Sequence, residues 1–130
     1  MVTTRDAQRI YDAGSVVGTR SAAALGAVVV ADPGDGKALQ FIEITIQAVA
    51  AGPVGVQFRA SASYQPVREI RLAADADGFS QIYSVDFPHP WPASEALYFQ
   101  LDAAVEVDYF VRYEIIHEDD AIGAVTLVAV

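Results

Sequence analysis

Apolar and polar residues alternate along several stretches of this chain with a period of two. In "LQFIEITIQA", Ile42, Ile44 and Ile46 fall on one side and Glu43, Thr45 and Gln47 on the other. In "VGVQFRASA", Val54, Val56, Phe58 and Ala60 alternate with Gly55, Gln57, Arg59 and Ser61. In "VDYFVRYEI", Val107, Tyr109, Val111, Tyr113 and Ile115 alternate with Asp108, Phe110, Arg112 and Glu114. Successive side chains of a strand point to opposite faces, so each run predicts a strand with one buried face. Weaker strands are expected in "REIRLA", "QIYSVDF", "ALYFQLD", the short "GAVVVA" and the uncharged C-terminal run "AIGAVTLVAV". On this phase Phe41, Tyr98 and Phe110 are expected to face outward.

Turn chemistry separates the runs. "DPGDG" at 32–36, "AAGP" at 50–53 and "DADG" at 75–78 are loop signals. "PHPWP" at 88–92 cannot continue a ladder, because proline has no N–H to donate. About eight short strands at this spacing predict an all-β fold, an antiparallel two-sheet sandwich of jelly-roll-like type. The opening stretch reads differently. Ala7, Ile10 and Tyr11 fall at i, i+3 and i+4, with Gly14 placed to end a short helical turn. Whether helical or extended, residues 1–26 are taken as an N-terminal arm that needs something to pack on, and residues 27–130 as a single β-sandwich domain.

At 130 residues the chain has the length of one domain. A hydrophobic share of 53% supports a real core, and 19% charged residues argues against disorder. The net charge of −9 is a poor surface for nucleic acid, which is held by clustered Lys and Arg. With no cysteine, disulfides and thiolate zinc sites are excluded. No secretory signal pattern stands at the start, and no apolar run approaches the ~18 residues of a membrane span.

Catalytic chemistry finds little purchase. The two histidines, His89 among prolines and His117 in "HEDD", have no G-x-S-x-G elbow to serve. "DADG" begins like a calcium loop but lacks the later ligands, and "GDGK" lacks the first glycine and the hydroxyl of a phosphate loop. No metal, cofactor or catalytic residue is expected, and the chain is read as a non-enzyme.

The order of "DAQRIYDAG", "LQFIEITIQA", "VGVQFRASAS", "LYFQLDAAVEVDYFVRYEI" and the final "GAVTLVAV" resembles the jelly-roll capsid cement (decoration) proteins of tailed, particularly short-tailed, bacteriophages. The resemblance implies a virion structural protein made in the host cytoplasm. It would bind the outer capsid surface, bridge major capsid subunits and form a homo-oligomer, with a dimer expected. On that reading the arm is a docking element; the alternative is that it plugs one end of its own sandwich. Its candidate contact residues are Arg5, Asp6, Arg9, Ile10, Tyr11 and Asp12, with His89 and Trp91 from the proline-rich loop. Arg5 and Arg9 would pair partner carboxylates while Ile10 and Tyr11 anchor the contact. The competing class is a lectin-like module with a sugar platform built from Trp91, His89 and Tyr98. A cupin-type enzyme ranks last for want of strand histidines.

Overall fold

A computed structural model describes residues 3–5, 8–50, 52–73, 78–82 and 89–130, with side chains left aside at 3–5, 78–82 and 89. It is an antiparallel two-sheet β-sandwich. The strands are β1 (Thr3–Arg5), β2 (Gln8–Arg20), β3 (Lys37–Ala48), β4 (Val54–Arg59), β5 (Arg68–Leu72), β6 (Gly78–Ile82), β7 (His89–Pro90), β8 (Tyr98–Leu101) and β9 (Val107–His117). The larger sheet runs β1-β2-β9-β3-β6, with β7 also on β3, and the smaller runs β5-β4-β8.

The three strongest alternations are the three expected strands, and their apolar faces meet. Ile44, Ile46, Val107 and Val111 from the large sheet pack against Val54, Val56, Phe58, Phe99 and Leu101 from the small one. Phe99 links the sheets, with its ring 5.0 Å from Phe58 and 5.3 Å from Tyr109. Asp102, just past β8, accepts from the Gly55 N–H at 2.7 Å and from Arg71 at 2.5 Å, tying β8 to β4 and β5.

Of the two forms open to the opening stretch, a short helical turn or an extended segment, the extended one is found: Gln8–Arg20 is a strand. Residues 12–20 of β2 pair in unbroken register with residues 107–115 of β9. The reason lies in two matched spacings. Gly14 and Gly18 stand opposite Tyr113 and Tyr109, and the hydroxyl end of each ring occupies the space beside its glycine. A Cβ at Gly14 would come within 2.7 Å of the Tyr113 hydroxyl, and one at Gly18 within 2.6 Å of the Tyr109 ring carbon that bears the hydroxyl. Local helical spacing loses to about ten residues of ladder and two aromatic lids.

Two bulges reset the phase. One lies between Phe41 and Glu43, leaving Ile42 without a cross-strand partner on β9. Leu39 and Phe41 therefore face the core on one side of it, and Ile44 and Ile46 on the other. Phe41, expected outside, is fully buried, edge-on to Trp91 at 5.4 Å. Tyr98 and Phe110 are half-buried. The second bulge, between Ile10 and Asp12, sits at Tyr11. It turns Ile10 to the outer face, where it packs with Ala38 and Ile116.

The two outlying apolar runs are weaker than expected. "GAVVVA" contributes one bridge, Val30 to Leu97, and the C-terminal run one bridge, Ala129 to Tyr64. In that run Leu127 packs on the core, while Ile122 is 85% exposed.

Candidate functional site: the N-terminal strand and its groove

Arg9 begins the site. Its backbone N–H donates to Asp120 Oδ2 at 2.8 Å, Nε to the same oxygen at 3.0 Å and Nη2 to Oδ1 at 3.3 Å. Gln8 Nε2 adds a bond to the Asp120 carbonyl. The "HEDD" turn is thus a clasp on β2. His117 Nδ1 accepts from the Asp119 N–H at 3.1 Å and caps the short 3₁₀ turn at Glu118–Asp120. The clasp holds the Asp120 carboxyl below its ordinary range, chiefly through the Arg9 side-chain bond and next through the Arg9 N–H. Arg9 is raised in turn by the same contact.

A polar chain runs inward from there. Gln8 and Gln40 exchange amide bonds at 2.8 and 3.1 Å, and Gln40 Nε2 donates to Glu114 Oε1 at 3.2 Å. Gln40 and Glu114 are both buried. Beyond Glu114 the outer face opens into a groove of about 470 Å³, bounded by Ala13 and Ser15 on β2, Ile42 on β3, and Arg112 and Glu114 on β9. The bulge creates its apolar wall, since it moves Ile42 out of the core phase. Arg112 is exposed and has no ion pair or hydrogen bond among the described residues.

The groove borders an open strand edge. β1 pairs only with Gln8, Arg9 and Ile10. Past Ile10, no described strand lies on that side of β2. The edge therefore offers backbone N–H and C=O groups, with Val17 76% exposed at its middle. The described residues contain no group of three or more His, Asp or Glu placed to hold a metal ion. The arrangement suits recognition: hydrogen-bonding backbone, a guanidinium, a carboxylate and an apolar wall.

The expected contact residues scatter. Arg5 lies in β1 opposite Gln8, and Asp6 falls outside the described residues. Arg9, Ile10 and Tyr11 come together, but on their own chain. Arg9 pairs with Asp120, and Ile10 is buried against Ala38 and Ile116. The Tyr11 ring lies under the Lys37 ammonium at 5.2 Å, 6.3 Å from the His117 ring. These three hold the strand in place instead of reaching out. Asp12 is exposed, its Oδ1 taking the Ala13 N–H. His89 is in β7 opposite Phe41, on the other edge of β3. Trp91 is 0% exposed and its Nε1 donates to the Ala96 carbonyl at 2.7 Å. It is core and can be neither a partner contact nor a sugar platform. The groove and edge went unforeseen in sequence, although the paired G-x-x-x-G and Y-x-x-x-Y spacings at 14–18 and 109–113 carry the register that builds them.

No family model matches the chain, and no curated protein matches it. Among solved structures, a Bacillus endospore appendage protein, from a family described as disulfide-linked pili, superposes with a TM-score of 0.53. The match has 18% identity and covers 88% of this chain and 94% of that one. At that identity the likeness speaks for the fold alone.

Proposed function

We propose that the chain is a capsid cement protein: a non-enzymatic virion subunit, made in the host cytoplasm, that docks on the outer capsid surface and braces major capsid subunits. The observation that supports this reading best is the open, uncharged edge of β2 beside the Arg112 groove. It is a surface fit for backbone pairing, on a sandwich that presents recognition groups where an enzyme needs a reaction centre. The capsid contact is reassigned from Arg9, Ile10 and Tyr11, which are engaged on their own chain, to the groove lined by Ile42 and Arg112, and the backbone edge of β2 is left for pairing between copies. Binding to a lattice adds many weak contacts, and an oligomer gains further when two subunits engage one shell. The similar appendage fold is described from disulfide-linked pili. With no cysteine, this chain would have to assemble without such links.

The test is density-gradient sedimentation of particles from the native source, with the chain followed by antibody. The expected result is co-migration with shells of major capsid protein at a fixed ratio. A chain that stays at the top of the gradient while intact shells sediment would overturn the reading.

A further inference from the structure

We propose that the edge of β2 from Ala13 to Thr19 pairs antiparallel with the same edge of a second copy, about a two-fold axis at Val16. Exposed strand edges are usually blocked by lysine, proline, a bulge or a covering element, because their free backbone groups template another strand. The stretch "AGSVVGT" has none of these residues. The β2 bulge lies before it at Tyr11, and β1 covers only Gln8–Ile10.

The stretch complements itself in one register. With Val16 opposite Val16 of the copy, Gly14 meets Gly18, Ser15 meets Val17 and Ala13 meets Thr19. The Tyr113 and Tyr109 rings lie over those glycines, so rings from both copies would roof the seam. Asp12 then stands opposite Arg20 at each end. Asp12 is exposed and forms no ion pair among the described residues. Among the described residues Arg20 donates to the carbonyls of Ala24, Leu25 and Ala27, and its shielded Nε has no partner. A shift of two residues sets Asp12 against Gly18, and a shift of one turns every side chain to the wrong face. The charges therefore select this register. A stable dimer buries about 1,200 Å² or more; a single strand pair buries less, so association in the micromolar range is expected. Such a dimer names the oligomer's contact surface and rests on the cement reading only for its use on a shell.

Sedimentation velocity of the full chain across the micromolar range tests it. The expected result is a reversible monomer–dimer equilibrium. Val17→Lys alters an exposed side chain and sets two like charges diagonally across the axis. It should weaken association about tenfold or more with an unchanged circular dichroism spectrum. Directly opposed residues lie about 4.5 or 5.5 Å apart at Cα, within disulfide reach. On oxidation Val16→Cys should therefore form a covalent dimer much faster than Val28→Cys, placed in a loop. A monomer at every concentration overturns the contact. So does a dimer that ignores Val17→Lys and cross-links no faster through Val16→Cys than through Val28→Cys. A dimer that passes both checks but never joins shells would sink the cement reading and leave the contact standing.

Discussion

Asp120 and Asp102 each do what a charged residue does best on a surface, which is to satisfy backbone and guanidinium together. Both are held below the ordinary aspartate value of 3.8, Asp120 mainly by the Arg9 side chain and Asp102 mainly by the Gly55 N–H. A carboxyl whose folded value is lowered binds a proton less readily folded than unfolded. Its stabilising effect is complete above 3.8 and is lost as pH falls through the lowered folded value. Asp120→Asn should therefore lower the melting temperature at pH 7, and the gap from the parent should close in strongly acidic buffer. A gap that persists there would show that the clasp acts by shape and not by charge. Trp91 makes a different kind of contribution. It is fully buried against Phe41, so Trp91→Ala should cost about 3–5 kcal/mol in urea unfolding. As the single tryptophan, it should emit at short wavelength and ignore added sugars.

β2 is where the element level decides most. Gly18 admits the Tyr109 ring, and the space for a methyl group is missing. Gly18→Ala should destabilise the fold by about 1–3 kcal/mol through overpacking, read as a lower urea midpoint. Deleting residues 1–20 removes the neighbour of β9 along residues 107–116 and the backbone under both tyrosines. That deletion should abolish the cooperative unfolding transition. A truncated chain that still melted cooperatively would show that β2 is an accessory to the sandwich. The bulge at Ile42 matters in the same way, because it lets one strand bury Leu39 and Phe41 at one end and Ile44 and Ile46 at the other. Its outward by-product is the wall of the groove.

Among the described residues, the most exposed large aliphatic side chains are Val17 in the middle of β2 and Ile122, Val128 and Val130 in the C-terminal run. Long-range pairing dominates the fold, with the N-terminal β2 lying between β1 and the C-terminal β9; slow folding relative to helical domains of this length follows from the loops that must close first. Since the described acidic residues form no metal-holding group, EDTA should leave the melting temperature unchanged. A fall of several degrees would point to a bound ion.

Alternation alone was enough to give the all-β class, the strands β3, β4 and β9 and the bulk of the core, because a strand with one wet face must repeat every two residues. The missing cysteines likewise excluded any disulfide-linked assembly without reference to shape. Other features depended on residues far apart in the chain. Period-two counting breaks at a bulge, so Phe41 read as surface and Ile42 as core until β9 supplied the register. The opening stretch read as an arm because Ala7, Ile10 and Tyr11 fall at helical spacing with Gly14 placed to end a turn; only Tyr109 and Tyr113, far along the chain, make Gly14 and Gly18 strand positions. Trp91 read as exposed because prolines surround it, yet its N–H finds the Ala96 carbonyl inside the sandwich. Arg9 read as a hand held out to a partner, and Asp120 took it. Local pattern sets what each segment can become, whereas pairing partners distant in sequence decide which face is buried and which charges remain free.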